Sequence, residues 1–133
     1  MSRRALGLVT IGVLLAGVVS ACSDDKPPIC SSVDALKSSV QNLRDVQVQQ
    51  GAVSEIKSDA AEVKSDFDTL KSDAKGQYST EIAALNNALV ATSNSANKAA
   101  AAPSGSALLG LTASVKSLGT ATSALTSAVK NTC

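Results

Sequence analysis

Apolar residues recur along this chain in steps of four and three. Ile29, Val33, Leu36, Val40 and Leu43 form one series, and Val53, Ile56, Ala60, Val63, Phe67, Leu70 and Ala74 form another. A third runs through Tyr78, Ile82, Leu85 and Leu89 and continues more weakly at Thr92, Ala96 and Ala99. The last comprises Leu108, Leu111, Val115, Leu118, Thr122, Leu125 and Val129. Steps averaging roughly 3.5 residues put every member on one side of an α-helix, the seam of a bundle or coiled coil. No segment shows the alternation of a strand. The pattern predicts helices over about Ser31–Gln47, Ala52–Lys75, Gln77–Ala100 and Ser106–Asn131.

The breaks differ in strength. Gln49-Gln50-Gly51 separates the first two series, and Ala102-Pro103-Ser104-Gly105 separates the last two, where Pro and Gly together stop a helix. The middle joint, Lys75-Gly76-Gln77, is weaker, because one Gly inside a helix costs only about 1 kcal/mol against Ala. From Leu70 through Ala74 and Tyr78 to Ile82 the seam steps four residues each time, a stutter that fits a turn or a kink. A turn gives an all-α, up-down-up-down four-helix bundle. A kink gives the alternative, one long central helix with the two outer helices folded back on it. Helices of matched length favour the bundle.

Composition adds a constraint on stability. Phe67 and Tyr78 are the only aromatics, Trp is absent, and the apolar set is otherwise mostly Ala, Val, Leu and Ile. Small side chains bury little area each, at roughly 25 cal/mol per Å². So thin a core calls for a covalent staple.

The N-terminus has its own organisation. Ser2-Arg3-Arg4 is a short basic start, Leu6–Val19 is apolar, and Val19-Ser20-Ala21-Cys22 follows. That is the layout of a cleaved export signal, with an apolar run shorter than the ~20 residues of a spanning helix. Val19-Ser20-Ala21-Cys22 resembles a bacterial lipobox. The resemblance implies cleavage before Cys22 and a covalent diacylglycerol or acyl lipid on its thiol, with no other cofactor. Ser2-Arg3-Arg4-Ala5-Leu6 also resembles, in part, a twin-arginine export signal. The expected organisation is a signal peptide over residues 1–21, a lipidated tether over 22–30 and a helical bundle domain over 31–133. Several acyl chains give stable anchoring where one is marginal. The expected location is therefore the extracytoplasmic face of the cell membrane, with the membrane itself as a partner. Pro27-Pro28 stiffens the tether.

Cysteine parity then points to a bridge. There are three cysteines, and lipid on Cys22 leaves Cys30 and Cys133. In an oxidising compartment an even pair is expected to join. An even number of comparable helices returns the chain to its starting end, so the bundle brings Cys30 beside Cys133. Three equal helices would leave them a helix length apart, far beyond the ~7 Å Cα limit for a disulfide.

One repeat stands out within the second series: Lys57-Ser58-Asp59, Lys64-Ser65-Asp66 and Lys71-Ser72-Asp73. With Val53 at heptad position a and Ile56 at d, the lysines fall at e and the aspartates at g. These positions flank a seam and select partners. Across a parallel two-fold, Asp59 would meet Lys64 of a second copy and Asp66 its Lys71. Otherwise the stripe Lys57, Asp59, Lys64, Asp66, Lys71, Asp73 is a solvated helix face, where exposed pairs contribute about 0–1 kcal/mol each. Between Glu81 and Lys116 the only charge is Lys98, in a run of Ala, Ser, Thr, Asn, Gly and Leu. Such a stretch suits close helix packing, or a weakly polar surface for a partner or the cell wall.

From Cys22 onward the chain resembles small actinobacterial lipoproteins and secreted helical proteins that carry Lys-Ser-Asp or similar heptads between two flanking cysteines. That group has no established activity. The lipidated Cys followed by heptads is also similar to Braun-type lipoproteins, which use a C-terminal Lys to join peptidoglycan. Here Lys130-Asn131-Thr132-Cys133 departs from that ending.

Signs of catalysis are few. There is no His for a general base or a metal. Asp66 and Asp68 lie two apart and point to different helix faces. With Arg3 and Arg4 gone from the 12 basic residues, against 11 acidic, the exported chain carries a net charge of about −1. That is no electrostatic footprint for nucleic acid. The expected role is non-enzymatic: a structural or protein-interaction lipoprotein meeting an envelope protein or cell-wall component. The joints Gln47–Ala52 and Ala99–Ser106 are its expected contact points. The alternatives are a self-associating coiled-coil lipoprotein, a homodimer along the Lys-Ser-Asp stripe, and a helical bundle that opens over lipid.

Overall fold

The computed structural model describes residues 26–133. Four helices occupy them: α1 (Pro28–Asp45), α2 (Val53–Ala74), α3 (Ser79–Ala101) and α4 (Gly105–Val129). A short 3-10 turn at Gln50–Ala52 leads into α2. No strand is found among the described residues. α1 packs against α2 and α3 against α4 most extensively, and the α2–α3 and α4–α1 contacts close the ring. This is the up-down-up-down bundle.

The seam residues are the core. Every member of the α1 and α2 series is buried, as are Leu85, Leu89, Thr92, Ala96 and Ala99 of α3 and Leu111 through Val129 of the α4 series. Tyr78, Ile82 and Leu108 are half-buried at the edges. Thr92 and Thr122 sit in this core because each hydroxyl is satisfied within its own helix. Thr92 donates to the Ala88 carbonyl at 2.8 Å and Thr122 to that of Leu118 at 2.9 Å. Their methyl groups then pack like those of Val.

Ends shift by up to three residues from the expected spans, each for a local reason. α1 starts at Pro28 rather than Ser31, because Pro is tolerated in a first turn whose N–H groups have no partner. Ile29 and Cys30 are thereby buried in the domain instead of belonging to a tether. α4 is capped by Ser104, whose Oγ accepts from the Ala107 N–H at 3.2 Å.

The joint between α2 and α3 is a turn, which excludes the long central helix. Lys75 (φ 49°), Gly76 (φ 87°) and Tyr78 (φ 57°) all take left-handed backbone there. Only Gly does so without steric penalty, the others at about 1–2 kcal/mol each. Gly76→Ala is expected to destabilise the domain by about 1–2 kcal/mol, and Lys75→Gly to stabilise it by up to ~1 kcal/mol. Opposite shifts in urea midpoint check the pair; equal shifts would contradict the turn. The phenol of Tyr78 and Thr132 Oγ1 lie 2.5 Å apart, which ties this joint to the chain end after α4.

Heptad edges explain why neighbouring contacts differ. In an antiparallel pair the g edge of one helix faces the g edge of the next, and e faces e. The α1–α2 and α3–α4 interfaces are g-to-g and carry small or hydrogen-bonded groups, among them Ser95 and Ser114 with hydroxyls 2.9 Å apart. The other two interfaces are e-to-e. There Lys57, Lys64, Lys37 and Arg44 line open grooves, at α2–α3 and α1–α4 respectively.

Candidate functional site

Cys30 and Cys133 form the disulfide, with Cα atoms 5.6 Å apart across a sequence separation of 103. Cys30 is buried in the first turn of α1, and Cys133 is exposed at the chain's last residue. The bridge closes the end that also holds the α2–α3 turn. The α1–α2 and α3–α4 connections lie at the other end. Cys22 falls outside the described residues.

The charged stripe of α2 divides into two edges. Lys57, Lys64 and Lys71 are exposed, whereas Asp59, Asp66 and Asp73 are half-buried. Asp73 accepts a hydrogen bond from Ser32 and Asp66 accepts one from Ser39. Both serines are buried and sit at g positions of α1. Each partner is seven residues from its twin on the same helix, so the two bonds are rungs of one antiparallel ladder. Continuing that register sets Asp59 opposite Val46, just past the end of α1, and no rung forms there. The ladder was legible in principle: Ser32 and Ser39 flank the α1 seam at the same spacing. Parallel pairing matches e with g and hides it, while antiparallel pairing matches g with g.

The lysine edge faces α3. Lys57 and Lys64 border a groove with Ser93 and Asn97, and Lys71 borders a second depression with Phe67, Ile82 and Asn86. Lys64 and Asp68 form the one ion pair among the described residues, at 3.0 Å in an exposed i,i+4 arrangement worth little. A parallel two-copy seam along this stripe would have to strip Asp66 and Asp73 from α1 and expose the buried α2 series. Ser39→Ala is expected to cost about 1 kcal/mol, below the ~1.5–3 kcal/mol usual for a charged acceptor, because the half-exposed Asp66 regains water. Thermal melts of the variant measure it. A neutral result would mean the rung contributes nothing.

No family model, curated protein or solved structure matches this chain. The residues themselves are therefore the basis for any functional reading. Among the described residues no group of His, Cys, Asp and Glu could hold a metal ion. No helix there is long and apolar enough to cross a membrane.

The end opposite the disulfide carries the most exposed large apolar side chain, Leu109, at 72%. It projects from the first turns of α4. At the same end, between α3 and α4, Ser95, Lys98, Ser106, Ala107 and Gly110 line an open depression of about 350 Å³. The expected contact points at Gln47–Ala52 and Ala99–Ser106 fall at this end, where Val46 and Val48 are half-buried under the α1–α2 connection.

Proposed function

We propose that this chain is a non-enzymatic envelope lipoprotein, anchored through lipid on Cys22, whose bundle presents its far end to another envelope protein or to a cell-wall component. The observation that carries the reading is Leu109, a large aliphatic side chain left 72% exposed at the end farthest from the anchor side. A lone exposed Leu is ordinary on a surface. Here it shares the far end of the bundle with a depression lined by Ser95, Lys98 and Ser106, so an apolar side chain and polar groups are both presented at that end. The short stretch between Cys22 and α1, with Pro27 in it, holds the disulfide end near the membrane and turns the α3–α4 joint outward.

Two experiments test it. Cys22→Ser is expected to abolish incorporation of labelled fatty acid and to move the protein from the membrane to the soluble fraction. Unchanged membrane retention would end the anchoring reading. A photo-crosslinker at Ser104 in living cells is expected to capture a discrete species, and Leu109→Asp to abolish the capture while Lys57→Gln does not. Absence of any adduct would remove the far end as the contact surface.

A further inference from the structure

Charge is distributed unevenly around the bundle. α2 carries Glu55, Asp59, Glu62, Asp66, Asp68 and Asp73 against its three lysines. α4 has no acidic residue; it carries Lys116, and Lys130 follows its end. These helices occupy opposite corners of the ring. The groove between α1 and α4 thus lies away from most of the carboxylates.

That groove is about 260 Å³ and is lined by Lys37, Gln41 and Arg44 on one side and by Gly119, Ser123 and Ser127 on the other, with no carboxylate. Lys37 and Arg44 are seven residues apart at successive e positions, about 10 Å along the helix. Facing them in antiparallel register are Thr126 and Gly119, and the disulfide closes the same line at its base. Gly119 is buried, and a Cβ there would lie 3.1 Å from Arg44 Cδ and 3.2 Å from Nε. The Arg44 stem therefore lies flat on the α4 backbone. Neither Lys37 nor Arg44 is in an ion pair or side-chain hydrogen bond among the described residues, although Asp34 and Asp45 share their helix. A guanidinium held down with its donors free is prepared for an anion from outside.

We propose that the α1–α4 groove binds a linear polyanion, with Arg44 gripping one phosphate or carboxylate, Lys37 meeting another about one heptad along, the Ser123 hydroxyl donating between them and that of Ser127 donating beside Lys37. Gly119 is the positioning residue, since it admits the flat Arg44. The inference is independent of lipid anchoring.

The test uses the purified full chain in neutral detergent at low salt, titrated separately with linear polyphosphate, with an oligogalacturonate and with orthophosphate. One or both polymers are expected to bind saturably and at least ten-fold tighter than orthophosphate, with affinity falling as salt rises. Binding by polyphosphate alone assigns phosphate chemistry, by the uronate alone carboxylate chemistry, and by both the shared class. Lys37→Gln with Arg44→Gln should weaken binding at least ten-fold. Gly119→Ala, and Arg44→Lys with charge retained, should each weaken it several-fold with the helical spectrum unchanged. Lys57→Gln with Lys71→Gln removes equal charge from the α2–α3 groove and should have no such effect. The proposal is overturned if neither polymer exceeds orthophosphate, or if the α2–α3 pair weakens binding as much as the α1–α4 pair. Either result leaves the Cys22 experiment unaffected.

Discussion

Replacing both Cys30 and Cys133 by Ser is expected to remove roughly 3–5 kcal/mol of folding stability. The bridge spans 103 residues, nearly the whole domain, and in the chain-entropy model a loop of that size confines the unfolded chain by up to about 4.7 kcal/mol. Total stability of a domain is typically about 5–15 kcal/mol. This core holds one Phe and no Trp, which puts the domain toward the lower end. At about 4–8 °C per kcal/mol for a domain near this size, the melting temperature should fall by about 12 °C or more. The loss is also expected to be uneven. The chain end held by Tyr78 and Thr132 should exchange its amide protons first, and the α3–α4 joint should change little. Urea unfolding with and without reductant measures the first effect and hydrogen exchange the second. A loss below ~1 kcal/mol would mean that the ladder and seam already restrain the ends. Intact mass without reductant should show Cys30 and Cys133 closed to alkylation; two reactive thiols or a linked dimer would contradict the bridge.

Leu36→Ala is expected to cost about 3–5 kcal/mol, in the upper part of the range for a large-to-small core change. The cost of such a change depends on how far the surroundings can collapse into the hole. Leu36 is fully buried and lies on α1 between Ser32 and Ser39, the two residues that clamp this helix to Asp73 and Asp66. With a rung on each side and the disulfide at its base, α1 cannot slide inward without breaking a bond to a charged acceptor. Leu108→Ala offers the comparison: Leu108 is half-buried at the free end of α4, and its loss should cost less than half as much. Equal losses would show that the clamps do not limit relaxation. The triple variant Leu36→Ala, Ser32→Ala, Ser39→Ala should lose less than the sum of its parts, because the released helix can then settle.

Much of this architecture was already present in one dimension. The steps of four and three need only the rise and turn of an α-helix, so Ile29 to Leu43, Val53 to Ala74 and Leu111 to Val129 could be placed on buried faces without knowing their neighbours. Pro103 stopped α3 by local sterics alone. The disulfide followed from parity and from an even number of comparable helices. Three features required the folded molecule. The stutter at Leu70, Ala74, Tyr78 and Ile82 is as compatible with a bent helix as with a turn; closing a ring of four short helices chose the left-handed residues at Lys75, Gly76 and Tyr78. The aspartates of the Lys-Ser-Asp repeat were identifiable as a flank of the seam, yet their partners depended on direction: antiparallel neighbours join g to g, which delivers Asp66 and Asp73 to serines of α1 rather than to lysines of another copy. Gly119 carried no distinguishing mark among the chain's eight glycines. Its place under Arg44 is set by the rotation and register of α4 against α1, which no helix period encodes, because the period describes a helix's relation to itself and register is a relation between two helices fixed only when the whole ring closes.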